Sequence, residues 1–386
     1  MTTMVSLISE QTVPNILAIW HFQPERLLFV STEKMEREQK VRDILATVNC
    51  RLKKTYKIGE NTQSIIVLED SLLQCLRKLE EWIQGKEDER FIINLTGGTK
   101  LMSIAVFEFF KNYESKMIYI PINKNEYISP FPIRSPKQPK PLADRLTVDE
   151  YLRAYGLVMV NPDKVKRCIE SANRLKEVTY WMADHYPALS DLMACFGQQL
   201  RDKRDKKSFS CVMDYNVKNQ EESAFFERFH FRKDGNTYSK PLTKDEIGYL
   251  TGGWLEDYCF HCVAALQGKG VDDVVLNINI RNAQGRENEF DIIFTAGNAL
   301  YTIECKSLEQ YHDKKFDVLY KIGALQREFG LRVQSFLVTT SSQIIDKATG
   351  QIMPHIQERA EQFQTQIIGL DHLMDLKTIL EKRLSR

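Results

Sequence analysis

The first 130 residues alternate short apolar runs with segments of helical periodicity, and this alternation constrains the fold more than any other feature of the chain. Runs rich in Val, Ile, Leu and Phe predict five strands, over residues 5–9, 27–30, 63–68, 91–95 and 117–121. The segments between them predict four helices, over residues 14–20, 36–48, 71–83 and 101–110. Because helices alternate with strands, the sequence predicts a mainly parallel sheet with helices on both faces.

Two polar loops follow strands of this predicted sheet. They are Ser9-Glu10-Gln11-Thr12 and Thr96-Gly97-Gly98-Thr99-Lys100. Ligands of open α/β sheets bind beyond the carboxyl ends of the strands. Paired glycines let backbone N–H groups approach a phosphate, and a helix N-terminus favours an anion. We therefore expect a phosphate-bearing ligand here, with a tight structural turn as the alternative. The G-x-x-x-x-G-K spacing of a P-loop is absent.

Residues 289–307 predict a β-hairpin that carries ionisable side chains. Gly297-Asn298 is a hairpin turn signal between two apolar runs. Asp291 lies on the first strand, and Glu304 and Lys306 lie on the second. Since side chains alternate along a strand, Glu304 and Lys306 share one face, which Asp291 can reach from the neighbouring strand, while Cys305 points to the other.

This set of groups is typical of a Mg²⁺ or Mn²⁺ site for phosphodiester hydrolysis. Hard divalent ions prefer oxygen ligands and keep several waters. Asp291, Glu304 and the carbonyl of Cys305 are the candidate ligands, and the ion would activate a water. Lys306 would orient that water or stabilise charge at phosphorus. The alternative is a solvated patch of cross-strand charges.

A proline- and lysine-rich stretch over residues 131–145 predicts a linker, so we expect domains at 1–145, 146–245 and 246–386. Capping boxes begin helices at Thr147 and Thr243. In the middle segment the patterns predict helices over 165–183 and 189–199 and strands over 211–215 and 224–231. This order fits a small winged-helix-like module or a spacer.

The last segment continues with a strand over 271–280, the hairpin, a helix over 317–329 that ends at Gly330, a strand over 334–339 and a helical remainder.

Composition narrows the functional classes. The net charge of +1 gives no bulk attraction to nucleic acid, so such binding needs a local patch. No apolar run has transmembrane length, and the eight cysteines are scattered, which favours reduced thiols in the cytoplasm. Cys259 and Cys262 have no second pair to complete a zinc site, so we expect them to be buried or half-buried thiols.

The stretch Asn94-Leu-Thr-Gly-Gly-Thr-Lys100, its apolar helix and the polar loop after the first strand resemble the CARF domain of CRISPR-associated proteins, a Rossmann-like sensor of cyclic oligoadenylate. Asp291, Glu304 and Lys306 resemble the motif of the PD-(D/E)xK nuclease superfamily, except that Phe290 replaces the usual proline. That family also uses an acid on the preceding helix, which implies Glu256 as a further catalytic residue and metal ligand.

The two motifs together resemble CRISPR ancillary nucleases. The resemblance implies an α/β chain with an N-terminal Rossmann-like sensor, a small middle module and a C-terminal restriction-endonuclease-like domain. It implies a homodimer with cyclic tetra-adenylate on its two-fold axis, and DNA, RNA or both as substrate. A four-fold ring satisfies two identical half-sites.

Three further residues follow the predicted site. Lys314 and Lys315 are candidate phosphate contacts, and His312 is expected to be a surface residue. A ligand-responsive regulator that binds nucleic acid without cutting it is the alternative function.

Overall fold

A computed structural model describes the chain from residue 1 to residue 384, except for residues 122–123, 132–133, 135–137, 308–328, 331–332 and 347–350. The α/β class predicted from the sequence is confirmed, because parallel strands and helices alternate through the N-terminal part of the chain. None of the helices described here is long and apolar enough to cross a membrane.

The N-terminal sheet has five parallel strands in the order β3-β2-β1-β4-β5. The strands are β1 (Thr2–Leu7), β2 (Arg26–Ser31), β3 (Thr62–Ile66), β4 (Arg90–Asn94) and β5 (Ser115–Ile118). The helices are α1 (Val13–Phe22), α2 (Glu33–Arg37), α3 (Lys40–Arg51), α4 (Leu72–Ile83) and α5 (Lys100–Phe110). Helices α1 to α3 contribute to one hydrophobic core and helices α4 and α5 to another, so both faces of the sheet are covered.

One predicted helix of this part is divided. The segment over 36–48 forms the end of α2 and most of α3, because Gln39 between them adopts a left-handed φ of 57°. A residue with this conformation cannot continue a right-handed helix, and its side chain is an exposed amide that tolerates the turn.

The middle of the chain combines helices with short antiparallel strands. The helices are α6 (Val148–Ala154), α7 (Pro162–Asp184), α8 (Tyr186–Leu200), α9 (Gln220–Arg228) and α10 (Lys244–Gly248). The strands are β6 (Glu126–Tyr127), β7 (Lys140–Pro141), β8 (Val158–Met159), β9 (Ser208–Asp214), β10 (Arg232–Asp234) and β11 (Thr237–Thr243). Both predicted capping boxes are formed, at Thr147 with Glu150 and at Thr243 with Glu246.

The strand predicted over residues 224–231 is wrong. Most of this segment belongs to α9, whose N-cap Asn219 accepts a 2.8 Å hydrogen bond from the N–H of Glu222. Phe225 and Phe226 are adjacent in this helix, and both are buried because each packs against an aromatic ring of another element. The propensity of phenylalanine for strands is overridden by this packing.

The C-terminal sheet has six strands in the order β16-β15-β14-β13-β12-β8. Its strands after β8 are β12 (Asp273–Arg281), β13 (Glu287–Ala296), β14 (Ala299–Lys306), β15 (Val333–Thr339) and β16 (Thr365–Ile368). The helices are α11 (Trp254–Ala264) before the sheet and Pro354–Gln362 and Leu376–Leu384 near its end. The predicted hairpin is confirmed: Gly297 and Asn298 have φ values of 55° and 61°, as a type I′ turn requires.

Two expectations for this part change. The remainder after residue 339 is not wholly helical, because β16 extends the sheet in parallel with β15. Four residues are too few for their periodicity to reveal a strand. The helix predicted over 317–329 lies almost wholly outside the described residues.

Helix α6 lies between the two large sheets. Its side chains belong to a hydrophobic core that also contains residues of α1, α3, β12 and β13. The hydroxyl of Thr12 donates to the carbonyl of Ala154 at 2.6 Å, and the N–H of Val148 donates to the carboxylate of Asp273 at 2.8 Å. One end of α6 therefore contacts the loop after β1, and the other contacts the C-terminal sheet. The predicted domain boundaries stay predictions, and so does the winged-helix-like module proposed for the middle segment.

Candidate functional site

A cleft of about 1270 Å³ opens beside α11, the middle of β12 and β13, and the end of β14. Ionisable groups line its floor, together with an amide and a hydroxyl: Glu256, Asp257, Asn277, Asp291, Cys305, Lys306 and Ser307. The cleft thus brings together Glu256, Asp291 and Lys306, three of the four residues predicted to be catalytic.

The backbone before α11 sets the position of Glu256. A π-helical segment, Tyr249–Gly253, precedes α11 and contains Gly252 with a φ of 141°. A Cβ at Gly252 would lie 2.6 Å from the hydroxyl oxygen of Ser307, so only glycine allows this close approach to the end of β14. Helix α11 then begins at Trp254, which is fully buried, and places Glu256 in its first turn.

Asn277 brings a polar group to Glu256 from the middle of β12. The register between β12 and β13 places Asn277 opposite Asp291. Leu276 packs in the core around α11, whereas Ile278 packs in the core around α6, so the alternation of side chains changes at Asn277. Its left-handed φ of 56° accounts for the change. The Asn277 side chain hydrogen-bonds to Glu256.

The hairpin holds the other predicted residues. A carboxylate oxygen of Asp291 accepts a 2.7 Å hydrogen bond from the N–H of Cys305, which connects β13 to β14 beyond the last ladder pair. Continuing the register of that ladder places Asp291 opposite Glu304. Glu304 is only 3% exposed and is not among the residues that line the cleft, whereas Lys306 and Cys305, which was expected to point away from it, both line the cleft. The roles of these four residues as ligands or catalytic groups stay predictions.

Burial and mutual repulsion govern the protonation of the cleft carboxylates. Burial and the charge of Asp291 together raise the pKa of Glu256 to about 7, against the Asn277 hydrogen bond and Lys306, which lower it. Burial and the neighbouring Glu256 raise the pKa of Asp257 to about 8. Burial raises the pKa of the Cys305 thiol well above its usual range. A cation in this cleft would offset the repulsion between the carboxylates.

These residues fit a hard divalent ion. Within the described part of the chain, no three His, Cys, Asp or Glu side chains stand together as a ready-made metal cage. Mg²⁺ does not need one, because it binds through one or two carboxylates and keeps several waters. Glu256 and Asp291 supply such a pair of carboxylates at the floor of an open cleft.

Besides Ser307, which directly follows the predicted Lys306, sequence reasoning missed two residues of this floor. Asn277 is one of two asparagines in a largely apolar strand, where a residue of low strand propensity signals an irregular backbone. Asp257 follows Glu256 directly, and the only signal for it was a second acid in the first turn of an apolar helix. Neither residue belongs to the motif from which the site was predicted.

The two predicted ligand loops meet at the carboxyl edge of the N-terminal sheet. β1 and β4 are neighbours, and the crossovers that follow them lead to opposite sides of the sheet, which makes this edge the switch point of the fold. A Cβ at Gly97 would clash with the carbonyl oxygen of Leu7 at the end of β1. Gly98 has a φ of 70°, so glycine is needed at both positions.

Several side chains of these loops are engaged within the protein. The hydroxyl of Thr96 donates to Asn94 at 2.6 Å and accepts from the N–H of Ile120 at 2.8 Å. Thr99 caps α5 by accepting from the N–H of Met102. These bonds order the loop in front of the helix N-terminus.

The loop after β1 is similarly held. Gln11 accepts a 3.1 Å hydrogen bond from the hydroxyl of Tyr155, and its N–H donates to the hydroxyl of Ser9. Glu10 pairs with Lys34 at 2.6 Å. Lys100, the first residue of α5, is exposed. The assignment of both loops to a ligand stays a prediction.

Of the remaining predicted features, the structure describes the two neighbouring cysteines but not the basic residues after the hairpin. Cys259 and Cys262 are buried, and burial raises the pKa of the Cys262 thiol to about 12, so the prediction of buried thiols is confirmed. His312, Lys314 and Lys315 lie outside the described residues.

Known protein families match the N-terminal and the C-terminal parts of the chain. The family model of the Card1 CARF domain matches residues 3–151. The model of the Card1-like endonuclease domain matches residues 243–386. No curated protein sequence matches the chain.

Two solved structures share the fold of the whole chain. Can2 from Sulfobacillus thermosulfidooxidans, solved in complex with cyclic tetra-adenylate, is 18% identical and has a TM-score of 0.75, with 100% of this chain and 99% of that chain covered. Protein VC1899 from Vibrio cholerae is 17% identical with a TM-score of 0.75, and the match covers 100% of this chain and 98% of that one.

The shifted pKa of Asp257 leads to a prediction about stability. The folded pKa of about 8 lies above the ordinary value of 3.8, so the folded protein holds a proton that the unfolded chain releases. The wild type should therefore lose stability between about pH 4 and about pH 8, by about 1.4 kcal/mol for each pKa unit crossed. Asp257→Asn should remove this loss.

Urea unfolding with EDTA present, at about pH 5 and about pH 8, measures the effect. The free energy of unfolding of the variant minus that of the wild type should be about 1.4–4 kcal/mol larger at the higher pH than at the lower pH. An equal difference at the two pH values would show that Asp257 ionises as freely in the folded protein as in the unfolded chain.

Proposed function

Because the chain joins a Card1 CARF domain to a Card1-like endonuclease domain, we propose that it is a metal-dependent nuclease activated by a cyclic oligoadenylate. The observation that carries the proposal is the open cleft in which Glu256, Asp291 and Lys306 meet. DNA, RNA or both are the proposed substrates, and Mg²⁺ or Mn²⁺ is the proposed ion.

Each predicted residue of the nuclease site has a proposed role. Glu256, Asp291, Glu304 and the carbonyl of Cys305 hold the ion, which when bound polarises the phosphodiester and activates a water. Lys306 stabilises negative charge that develops on the phosphate oxygens. The Asn277 hydrogen bond favours the ionised form of Glu256 and fixes its orientation.

The proposed activator site is the switch-point edge of the N-terminal sheet. The glycine pair packs against the end of β1 and leads into the N-terminus of α5, a position that favours a phosphate. Lys100 adds a charge-assisted contact. Can2, which shares the fold, was solved with cyclic tetra-adenylate, which supports this ring as the first ligand to test.

Some other residues of this proposed site would contact the ligand, and others hold the two loops in place. Exposed or half-exposed members, Ser9, Glu10, Gln11, Gly98 and Thr99, border the edge. Thr12 and Thr96 support it through their hydrogen bonds to Ala154 and Asn94. We further propose a homodimer in the cytoplasm, since a ring with repeated units suits two identical half-sites on a two-fold axis.

Helix α6 gives the proposed activation a physical connection. Thr12 bonds to Ala154 at one end, while Val148 bonds to Asp273 of β12 at the other. Movement of the loop after β1 therefore acts on the strand that carries Asn277. Activation requires the ligand to bind the active arrangement more tightly than the resting one.

The first functional prediction concerns cleavage. Glu304→Ala removes a proposed ligand, and Lys306→Ala removes the proposed charge stabiliser. Each should reduce the rate of cleavage of labelled DNA or RNA, measured on gels with saturating Mn²⁺ and cyclic tetra-adenylate, by at least about a thousandfold. EDTA should abolish wild-type cleavage.

Glu287→Ala is the matched control, because Glu287 lies on the distant end of β13 in an exposed ion pair with Arg281. It should cleave at the wild-type rate. Rapid cleavage by Glu304→Ala, or wild-type activity that survives EDTA, would remove the metal-dependent nuclease from consideration.

The second functional prediction concerns the activator. Lys100→Ala should weaken the binding of cyclic tetra-adenylate by about 1.5–3 kcal/mol, the contribution of a hydrogen bond to a charged group. Calorimetry measures this affinity. Cleavage should fall at low ligand concentration and recover in part at high concentration, since the nuclease cleft is unchanged.

Lys111→Ala, at the opposite end of α5, is the control for this variant, because Lys111 pairs with Glu108 at 2.6 Å away from the loop. It should bind like the wild type. If Lys100→Ala also does so, the loop before α5 is a structural turn and the ligand binds elsewhere.

A further inference from the structure

The walls of the cleft come largely from the middle of the chain. Lys164, Arg167, Ser171 and Arg174 of α7 line one side. Their spacing of three or four residues places them on one face of the helix. Arg201 and Arg204 line the cleft as well, as do residues 243–246, which include the acids Asp245 and Glu246, and the π-helical segment.

The cations on α7 extend far enough along the helix to contact several phosphates of one nucleic-acid strand. Lys164 and Arg174 are ten residues apart, which corresponds to about 15 Å along a helix. A nucleic-acid strand carries one phosphate for about every 3.4 Å of duplex axis, so the row spans several phosphates. The cleft volume of about 1270 Å³ also exceeds the 300–1,000 Å³ that is common for small-molecule sites.

The cations on these walls differ in their partners. Lys164 pairs with Glu289 at 2.7 Å, and Arg204 donates to Thr251. Arg167, Arg174 and Arg201 are exposed, and the described part of the chain offers none of them a carboxylate within 4.0 Å. These three guanidinium groups are therefore available to an anionic ligand.

The face of α7 is fixed relative to the catalytic floor. Asn161, directly before α7, donates to the carbonyl of Asn277 at 3.0 Å and accepts from the N–H of Asn279 at 2.7 Å. The same asparagine, Asn277, hydrogen-bonds to Glu256. A strand that lies along α7 is thereby aligned with the carboxylates.

We propose that Arg167, Arg174 and Arg201 form a binding surface for the phosphate backbone of nucleic acid and direct the strand to Asp291 and Lys306. The inference rests on the proposed nuclease function. It assigns substrate binding to the middle segment, for which the sequence predicts a winged-helix-like module or a spacer. Arginine contacts to phosphate carry no base information, so binding through this surface is independent of sequence.

The test compares two double variants of the same helix. Arg167→Ala with Arg174→Ala removes two charges that face the cleft. Lys166→Ala with Lys176→Ala removes two exposed charges of α7 that lie outside the cleft, and serves as the matched control. Fluorescence anisotropy of a labelled oligonucleotide in EDTA, with and without cyclic tetra-adenylate, reports binding without cleavage.

The arginine variant should bind about tenfold or more weakly at low salt, and its slope of log K against log salt should be smaller by about 1.4–1.8, as expected for two lost phosphate contacts. The loss should be the same for oligonucleotides of different sequence. The lysine variant should keep the wild-type affinity and slope. Because all four side chains are exposed, thermal unfolding should show all proteins folded.

Equal affinity and slope for the two double variants would overturn the proposal, as would a wild type that binds no oligonucleotide with or without the ring. A restored affinity in Arg167→Lys with Arg174→Lys would support a charge contact. Failure of the nuclease function is distinguishable: the wild type would then bind with the predicted salt dependence but leave DNA and RNA uncut in Mn²⁺.

Discussion

The packing of α6 between the two large sheets is the constraint on which the rest of the molecule depends. Val148, Tyr151, Leu152 and Ala154 are completely buried in a core to which both parts of the chain contribute. Full burial of a valine or leucine side chain, such as Val148 or Leu152, stabilises the fold by about 1.5–3 kcal/mol. The helix therefore cannot move relative to one sheet without disturbing its contacts to the other, and an interior packed at this density transmits displacement.

The floor of the cleft depends on backbone conformations that ordinary residues avoid. Gly252, with a φ of 141°, lets the chain pass Ser307 before α11 begins, and Asn277, with a φ of 56°, changes the alternation of β12. Together they place Glu256 beside Asp291 in a buried environment that raises the pKa of Glu256 to about 7. Carboxylates held in this way repel one another, which is the condition that a divalent cation relieves.

The middle of the chain belongs structurally to the cleft. β8 adds a strand to the C-terminal sheet, and the residue that precedes α7, Asn161, is bonded to the same strand, β12. The basic face of α7 is consequently held at a set position above the carboxylates. The net charge of +1 conceals this local concentration of arginine, because acids elsewhere in the chain balance it.

The sequence by itself determined the features that depend on local patterns. Alternation predicted the five strands of the N-terminal sheet, Gly297-Asn298 predicted the hairpin turn, and both capping boxes formed. It also placed Asp291 and Lys306 on adjacent strands of one hairpin. Only the tertiary structure decided the helical state of α9, the strand β16 and the contacts of Asn277 with Glu256 and Asn161. The reason is physical: these features depend on contacts between residues far apart in the chain, and a left-handed residue within a strand breaks the periodicity from which faces are read.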